Sequence, residues 1–146
     1  MARSLIIGYG NPLRSDDGIG WHAARELSSR FHAPDIEVTA CHQITPELAE
    51  TASRMDLVLF IDAGPGNPGE VRVQDIAGSG DAPVYSHHLS PQSLLHLAER
   101  LYGRRPRAYL LTVGAACFEE GTSLSLEVEA ALDPLLSEVN RLVSAA

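Results

Sequence analysis

Three aspartates and a handful of histidines are the residues of this chain best suited to chemistry. Asp16 and Asp17 follow the glycine turn Gly8-Tyr9-Gly10-Asn11, His42 follows a short strand-like run, and Asp62 ends the most apolar run in the chain. His87 and His88 stand just ahead of the Ser90-Pro91 pair. Carboxylates and imidazoles converging on one rim can ligate a divalent metal of middling softness, such as zinc, nickel or iron. Each residue also has a plainer reading. An aspartate at 16 or 17 caps a helix by accepting from the free N–H groups of its first turn, and one of the two is expected to do so. Asp62 can stop a strand and orient the turn behind it. His87 and His88 can be ordinary loop histidines. His22, His32 and His96 fall within or at the ends of predicted helices and read as solvated surface groups, and Trp21 and Tyr9 read as packing or groove-lining residues.

Other chemistries find no support. Cys41 and Cys117 are the only cysteines and form no paired motif, which argues against a thiolate zinc site or a disulfide framework. The Gly8-Tyr9-Gly10 turn lacks the third glycine of a dinucleotide fingerprint, because position 13 is Leu. Asp16 and Asp17 would also repel a pyrophosphate from the helix start that normally receives it. There is no P-loop and no nucleophile elbow, and Ser15, Ser79 and Ser86 have no argued base.

The elements that must position these residues alternate between short apolar runs and amphipathic stretches, the pattern of an α/β domain. Strands are expected at 5–7, 36–40, 57–61 (the central one, stopping at Asp62), 71–73 (half-buried) and 109–113. A first helix is predicted from about Gly18, with Ile19, Ala23, Leu27 and Phe31 on one face. Thr45-Pro46-Glu47 predicts a second, with Thr as N-cap and Pro at its first position. Ser90-Pro91 predicts a third through Leu101, and Val128 to Val143 holds one apolar face for a fourth. Residues 64–69 break regular structure and 77–83 read as a loop. The expected architecture is a single-domain three-layer α/β sandwich over residues 1–146, with a mostly parallel twisted sheet of about five strands and helices on both faces. In such a sheet ligands bind beyond the carboxyl ends of the strands, where Asp16, Asp17, His42 and Asp62 fall. His42-Gln43-Ile44-Thr45-Pro46 and His87-His88-Leu89-Ser90-Pro91 echo one another, each with a histidine three residues before a hydroxyl-Pro pair.

Composition narrows the class further. The chain has 146 residues, 45% hydrophobic and 21% charged, which suits one globular domain rather than a disordered chain. Its 19 acidic against 11 basic residues give a net charge of −8, which offers no attraction to nucleic acid or an anionic membrane. The N-terminal apolar run at 5–7 is too short for a signal-peptide core or a membrane span, and a cytoplasmic protein, with a monomer favoured, is expected.

The segment Gly8-Tyr9-Gly10-Asn11-Pro12-Leu13-Arg14-Ser15-Asp16-Asp17-Gly18-Ile19-Gly20 resembles the opening motif of the hydrogenase maturation endopeptidases. Those enzymes trim the C-terminal extension from the large subunit of nickel–iron hydrogenases. The aliphatic run ending in Asp62-Ala63, then His87 with Leu89 and Leu94-Leu95, then the Leu-rich final helix extend the resemblance over the whole chain. It implies an endopeptidase, aspartic-type or metal-assisted, acting on a nickel–iron hydrogenase large-subunit precursor. It implies Asp17 and Asp62 as catalytic residues and Asp17, Asp62 and His87 as metal ligands, with His88, His42 and Asp16 as alternative ligands. Gly10, Asn11 and Gly64 are the implied substrate-binding positions. The nickel is contributed by the substrate, and zinc or cadmium can stand in for it in the isolated protein. The chain departs from the family at Cys41-His42-Gln43, where many relatives carry a Gly-Gly-Thr turn; this makes His42 a candidate additional ligand or contact. The segments 64–69 and 77–83 are expected to shape a groove for the extension. Two other readings share these residues: a peptidase with its own zinc acting on another substrate, and a non-enzymatic nickel-delivery module.

Overall fold

A computed structural model describes residues 2–77 and 89–146. His87, His88, Ser79, Ser86 and positions 78–83 of the expected loop lie outside the described residues. Among the described residues five strands form one sheet: β1 (Ser4–Tyr9), β2 (Ile36–Cys41), β3 (Leu57–Gly64), β4 (Val71–Asp75) and β5 (Arg107–Gly114). Their order is β2-β1-β3-β5-β4, so the most apolar run is the central strand. Only β4 runs antiparallel, on the edge beside β5. It is more exposed than the alternation of Val71 and Val73 predicts, and among the described residues it is an edge strand.

Four helices cover the two faces: α1 (Ile19–Arg30), α2 (Leu48–Ser53), α3 (Pro91–Tyr102) and α4 (Leu126–Ala145). The pleat sends alternate residues to opposite layers. Ile6, Leu59 and Ile61 pack with Ile19 and Leu27 of α1 and with Val128, Leu135 and Val139 of α4. Leu5, Ile7, Val58 and Phe60 pack on the other face against Ala49 and Ala52 of α2 and Leu94, Leu95 and Ala98 of α3. Each fully buried Leu, Ile or Phe contributes about 1.5–3 kcal/mol by leaving water.

Local chemistry explains most boundaries. Ser90 caps α3, accepting from the Ser93 N–H at 3.1 Å, with Pro91 as the first helical residue. The parallel device at 45–47 behaves differently. The N–H groups of Leu48 and Ala49 donate to the carbonyls of Thr45 and Pro46 in a tight turn, and α2 begins only at Leu48. No side chain caps α2. β3 also runs two residues past Asp62, because β5 continues to pair with it as far as Gly64 opposite Gly114.

Two glycines bring α1 down onto the sheet. A Cβ on Gly8 would lie 2.0 Å from the Gly20 carbonyl oxygen, and one on Gly20 would lie 2.2 Å from that of Ile61. The helix therefore rests backbone on backbone against β1 and β3. The 3-10 turn Ser15–Gly18 that precedes it is laid over the carboxyl ends of those strands.

Candidate active site

A cavity of about 360 Å³ opens where the carboxyl ends of β1, β2 and β3 meet. Asp17, His42 and Asp62 line it, with Tyr9 at its wall and Leu89 at its rim. This is the crevice at which open α/β sheets bind ligands.

The adjacent acids Asp16 and Asp17 have opposite fates. Neither caps α1, whose N-cap is Gly18 with no side-chain bond. Asp16 is fully buried and points away from the cavity. Its carboxylate accepts from the N–H groups of Ala116, Cys117 and Ser125 at 2.8, 2.9 and 2.7 Å, and from the Ser125 hydroxyl at 2.8 Å. Those four donors hold its pKa below the ordinary carboxylate value, against the opposing effect of burial. With both oxygens so engaged, Asp16 is a bracket between two loops and not the helix cap that local rules predict. Asp17 is half-buried, accepts from the Asn11 N–H at 3.0 Å and faces the cavity.

The turn around Asp17 is tightly determined. Asn11 Oδ1 accepts from the Leu13 N–H at 2.9 Å, a side-chain mimic of a backbone turn. Gly10 has φ 140° and a Cβ there would meet the Asp17 carbonyl oxygen at 1.9 Å, so only glycine fits. Gly10 and Asn11 both border the cavity, as expected of substrate-binding positions. Gly64 does not. It sits at the end of β3 with the Thr112 side chain where its Cβ would be, and the 64–69 turn folds back toward β5 and the start of α4. The segment 64–69 is thus a β3–β4 connection pinned by the Gly69 N–H to Gly114 carbonyl bond of 2.8 Å, not a wall of the cavity.

Asp62 is the most perturbed carboxyl here. Burial pushes its pKa up to about 6, and the charge of Asp17 pushes the same way. The Ala63 N–H, at 2.7 Å, and the Tyr9 hydroxyl favour the charged form and hold the rise in check. Tyr9 is pushed far above its ordinary value in turn, by burial first and by the neighbouring Asp62 charge second. The sequence reads Tyr9 as a packing or groove-lining residue, and it does line the cavity. The signal for more lay in strand register: Gly8 is opposite Ile61, so the next residue along β1 falls beside Asp62.

His42 follows β2 directly and lines the cavity, as its position after the strand predicts. Among the described residues, no three His, Cys, Asp or Glu side chains come together as a metal site; His87, the third implied ligand, and its alternative His88 lie outside that set. Leu89, two residues beyond His87, borders the same cavity. The surface histidines divide: His32 is exposed, whereas His22 is half-buried with its Nε2 unpartnered and its pKa lowered by desolvation. It packs edge-on against Trp21 with ring centroids 5.2 Å apart, because α1 turns this side toward α4.

No family model matches the chain. It is 27% identical to the hydrogenase 2 maturation protease of Escherichia coli K12, over 94% of this chain and 88% of that protein. The NiFe hydrogenase maturation protease HybD of Thermococcus kodakarensis superposes with a TM-score of 0.76 at 27% identity, over 96% of this chain and 98% of that one. The HycI maturation protease of Thermococcus kodakarensis KOD1 superposes with a TM-score of 0.79 at 21% identity, covering 98% and 93%. Sequence likeness and fold agree over nearly the whole length, with the opening motif at the mouth of the cavity: the chain is similar in sequence and in fold to hydrogenase maturation proteases.

Proposed function

We propose that the chain is an endopeptidase that removes the C-terminal extension of a nickel–iron hydrogenase large-subunit precursor once nickel has been inserted. The observation that carries this reading is the pair of carboxylates, Asp17 and Asp62, facing one cavity at the carboxyl ends of the strands. Relatives named as maturation proteases over the same length support the substrate class. No helix of the described residues is long and apolar enough to cross a membrane; in this reading the reaction takes place in the cytoplasm, on one partner protein.

In this reading the precursor's cysteines carry nickel into the cavity as part of the substrate. Asp17, Asp62 and His87 supply oxygen and nitrogen donors toward it, a set suited to a borderline divalent ion. His42 faces the same space and adds a contact to the metal or to the peptide. Asp62 acts as the general base. Its raised pKa leaves it mostly ionised at neutral pH yet basic enough to take a proton. It removes a proton from water as the water oxygen attacks the scissile carbonyl carbon. It then returns that proton to the leaving nitrogen as the peptide bond breaks, giving a carboxylate and an amine.

The test is the electrophoretic mobility of purified nickel-loaded precursor after incubation with wild type and with Asp17→Asn. Faster migration with wild type, and at least about a hundredfold slower conversion with the variant, is the expected result. Equal conversion by both would remove Asp17 from the site. Calorimetric titration of Ni²⁺ into His42→Ala reads the histidine's part: unchanged affinity excludes it as a ligand.

A further inference from the structure

Beside the aspartate cavity lies a second one, of about 670 Å³, on the outer side of the opening loop. Asn11 and Arg14 line both cavities, so the two form one continuous surface. Beyond Arg14 this surface carries two large apolar side chains in the open: Leu13 is 59% exposed and Phe118 49% exposed. A single exposed leucine is ordinary, but adjacent apolar groups beside a catalytic crevice mark a binding surface.

These side chains stand on a fixed platform. The Ser15 N–H donates to the Gly121 carbonyl at 2.9 Å, and the Gly121 N–H returns a bond of 2.9 Å to the Leu13 carbonyl. The Ser15 hydroxyl donates to the Glu119 carbonyl at 2.8 Å, and Ser15 holds φ 49°, a strained value that these bonds sustain. Asp16 locks the same two segments from beneath through Ala116, Cys117 and Ser125. Leu13 and Phe118 are therefore presented in advance, and binding to them orders little chain. The Arg14 guanidinium, between them and the aspartates, makes no hydrogen bond or ion pair among the described residues. In a chain of net charge −8 it offers a cation beside the entrance to an acidic cavity.

We propose that this second cavity is the docking surface for the protein substrate. It receives the precursor chain beside the scissile bond, with an apolar side chain seated between Leu13 and Phe118 and a carboxylate of the precursor paired with Arg14. This rests on the protease reading above and adds to it the part of the surface that selects the precursor polypeptide, separate from the residues that meet the metal.

The experiment measures binding and cleavage of purified nickel-loaded large-subunit precursor separately. Affinity is read by calorimetry for wild type, the double variant Leu13→Ser/Phe118→Ser, and Arg14→Glu, with thermal melts alongside. The expected result is a Kd raised at least about tenfold in each variant with Tm unchanged. Leu101→Ser, at an exposed apolar residue of α3 outside both cavities, serves as the comparison and keeps wild-type affinity. Variants that bind the precursor as tightly as wild type overturn the docking surface while leaving the protease reading intact. Precursor that wild type binds but does not cut sinks the protease reading, and the variants' affinities still decide the docking surface. Should Leu13→Ser/Phe118→Ser melt early, the single variant Arg14→Glu decides alone.

Discussion

Asp16 and Ser125, 109 positions apart in the chain, are joined twice: the Ser125 N–H and its hydroxyl donate to the Asp16 carboxylate at 2.7 and 2.8 Å. This bracket ties the opening loop to the start of α4 while the next residue, Asp17, turns into the cavity. The division of labour between two consecutive acids has measurable consequences.

Replacing Asp16 with Ala leaves three backbone N–H groups without their charged acceptor. The expected loss is about 3 kcal/mol of unfolding free energy, a fall in Tm of about 10 °C. Because the folded-state pKa is depressed, the stabilisation is fully present above the unfolded value near 4 and is lost as pH falls through the lower folded value. Urea unfolding of wild type and variant at neutral pH and near pH 3 should show the gap between them narrowing in acid.

Asp62 carries the opposite sign. Its folded pKa is raised to about 6, so between the unfolded value near 4 and about 6 the native state holds a proton that the unfolded chain has released. The resulting burden on stability is absent below the unfolded pKa, grows with pH up to about 6 and is constant above it. Asp62→Asn removes that burden and is expected to stabilise the protein at neutral pH by about 1–3 kcal/mol while abolishing cleavage. Denaturant midpoints at pH 7.5 check the first half, and precursor cleavage the second.

The same group sets the acid limb of the reaction. kcat/KM for precursor cleavage is expected to rise with pH and level off above an apparent pKa near 6, the value of the free enzyme. Tyr9→Phe removes a donor that favours the charged carboxylate, so the limb should move to higher pH. An unmoved limb in the variant would take Tyr9 out of the base's surroundings.

Gly20 has no space for a side chain: a Cβ would lie 2.2 Å from the Ile61 carbonyl oxygen and 2.5 Å from that of Tyr9, both backbone atoms. Gly20→Ala must lift α1 from the sheet, at about 3 kcal/mol or more. A circular-dichroism melt should show it, and any folded fraction should cleave poorly because Asp17 moves with the helix start.

What was readable in the chain, and what was not, follows from the range of the interactions involved. The central strand at 57–61, the cap-and-proline start of α3 and the apolar face of α4 are written within a few residues and appear as expected. The choice between Asp16 and Asp17 depends on donors at 116, 117 and 125, about which residues 8–20 carry no information. Here the motif resemblance picked Asp17 for the site, whereas local capping rules placed one of the pair on the helix. Thr45-Pro46 and Ser90-Pro91 look alike, yet the first closes a tight turn ahead of α2 through its backbone carbonyls, whereas Ser90 caps α3 with its side chain. Tyr9 and Asp62 become neighbours only through the register of β1 against β3. Gly64, a plausible loop glycine in sequence, is held in the sheet by its pairing with Gly114.

The central claim is that the Asp17–Asp62 cavity cuts a precursor whose nickel it reads. Intact-mass spectrometry of the large-subunit precursor, nickel-loaded and nickel-free, after incubation with wild type and with Asp62→Ala tests it directly. The account predicts loss of a C-terminal fragment from the nickel-loaded precursor alone, and with wild type alone. Cleavage of the nickel-free precursor, or cleavage by Asp62→Ala at the wild-type rate, would contradict it.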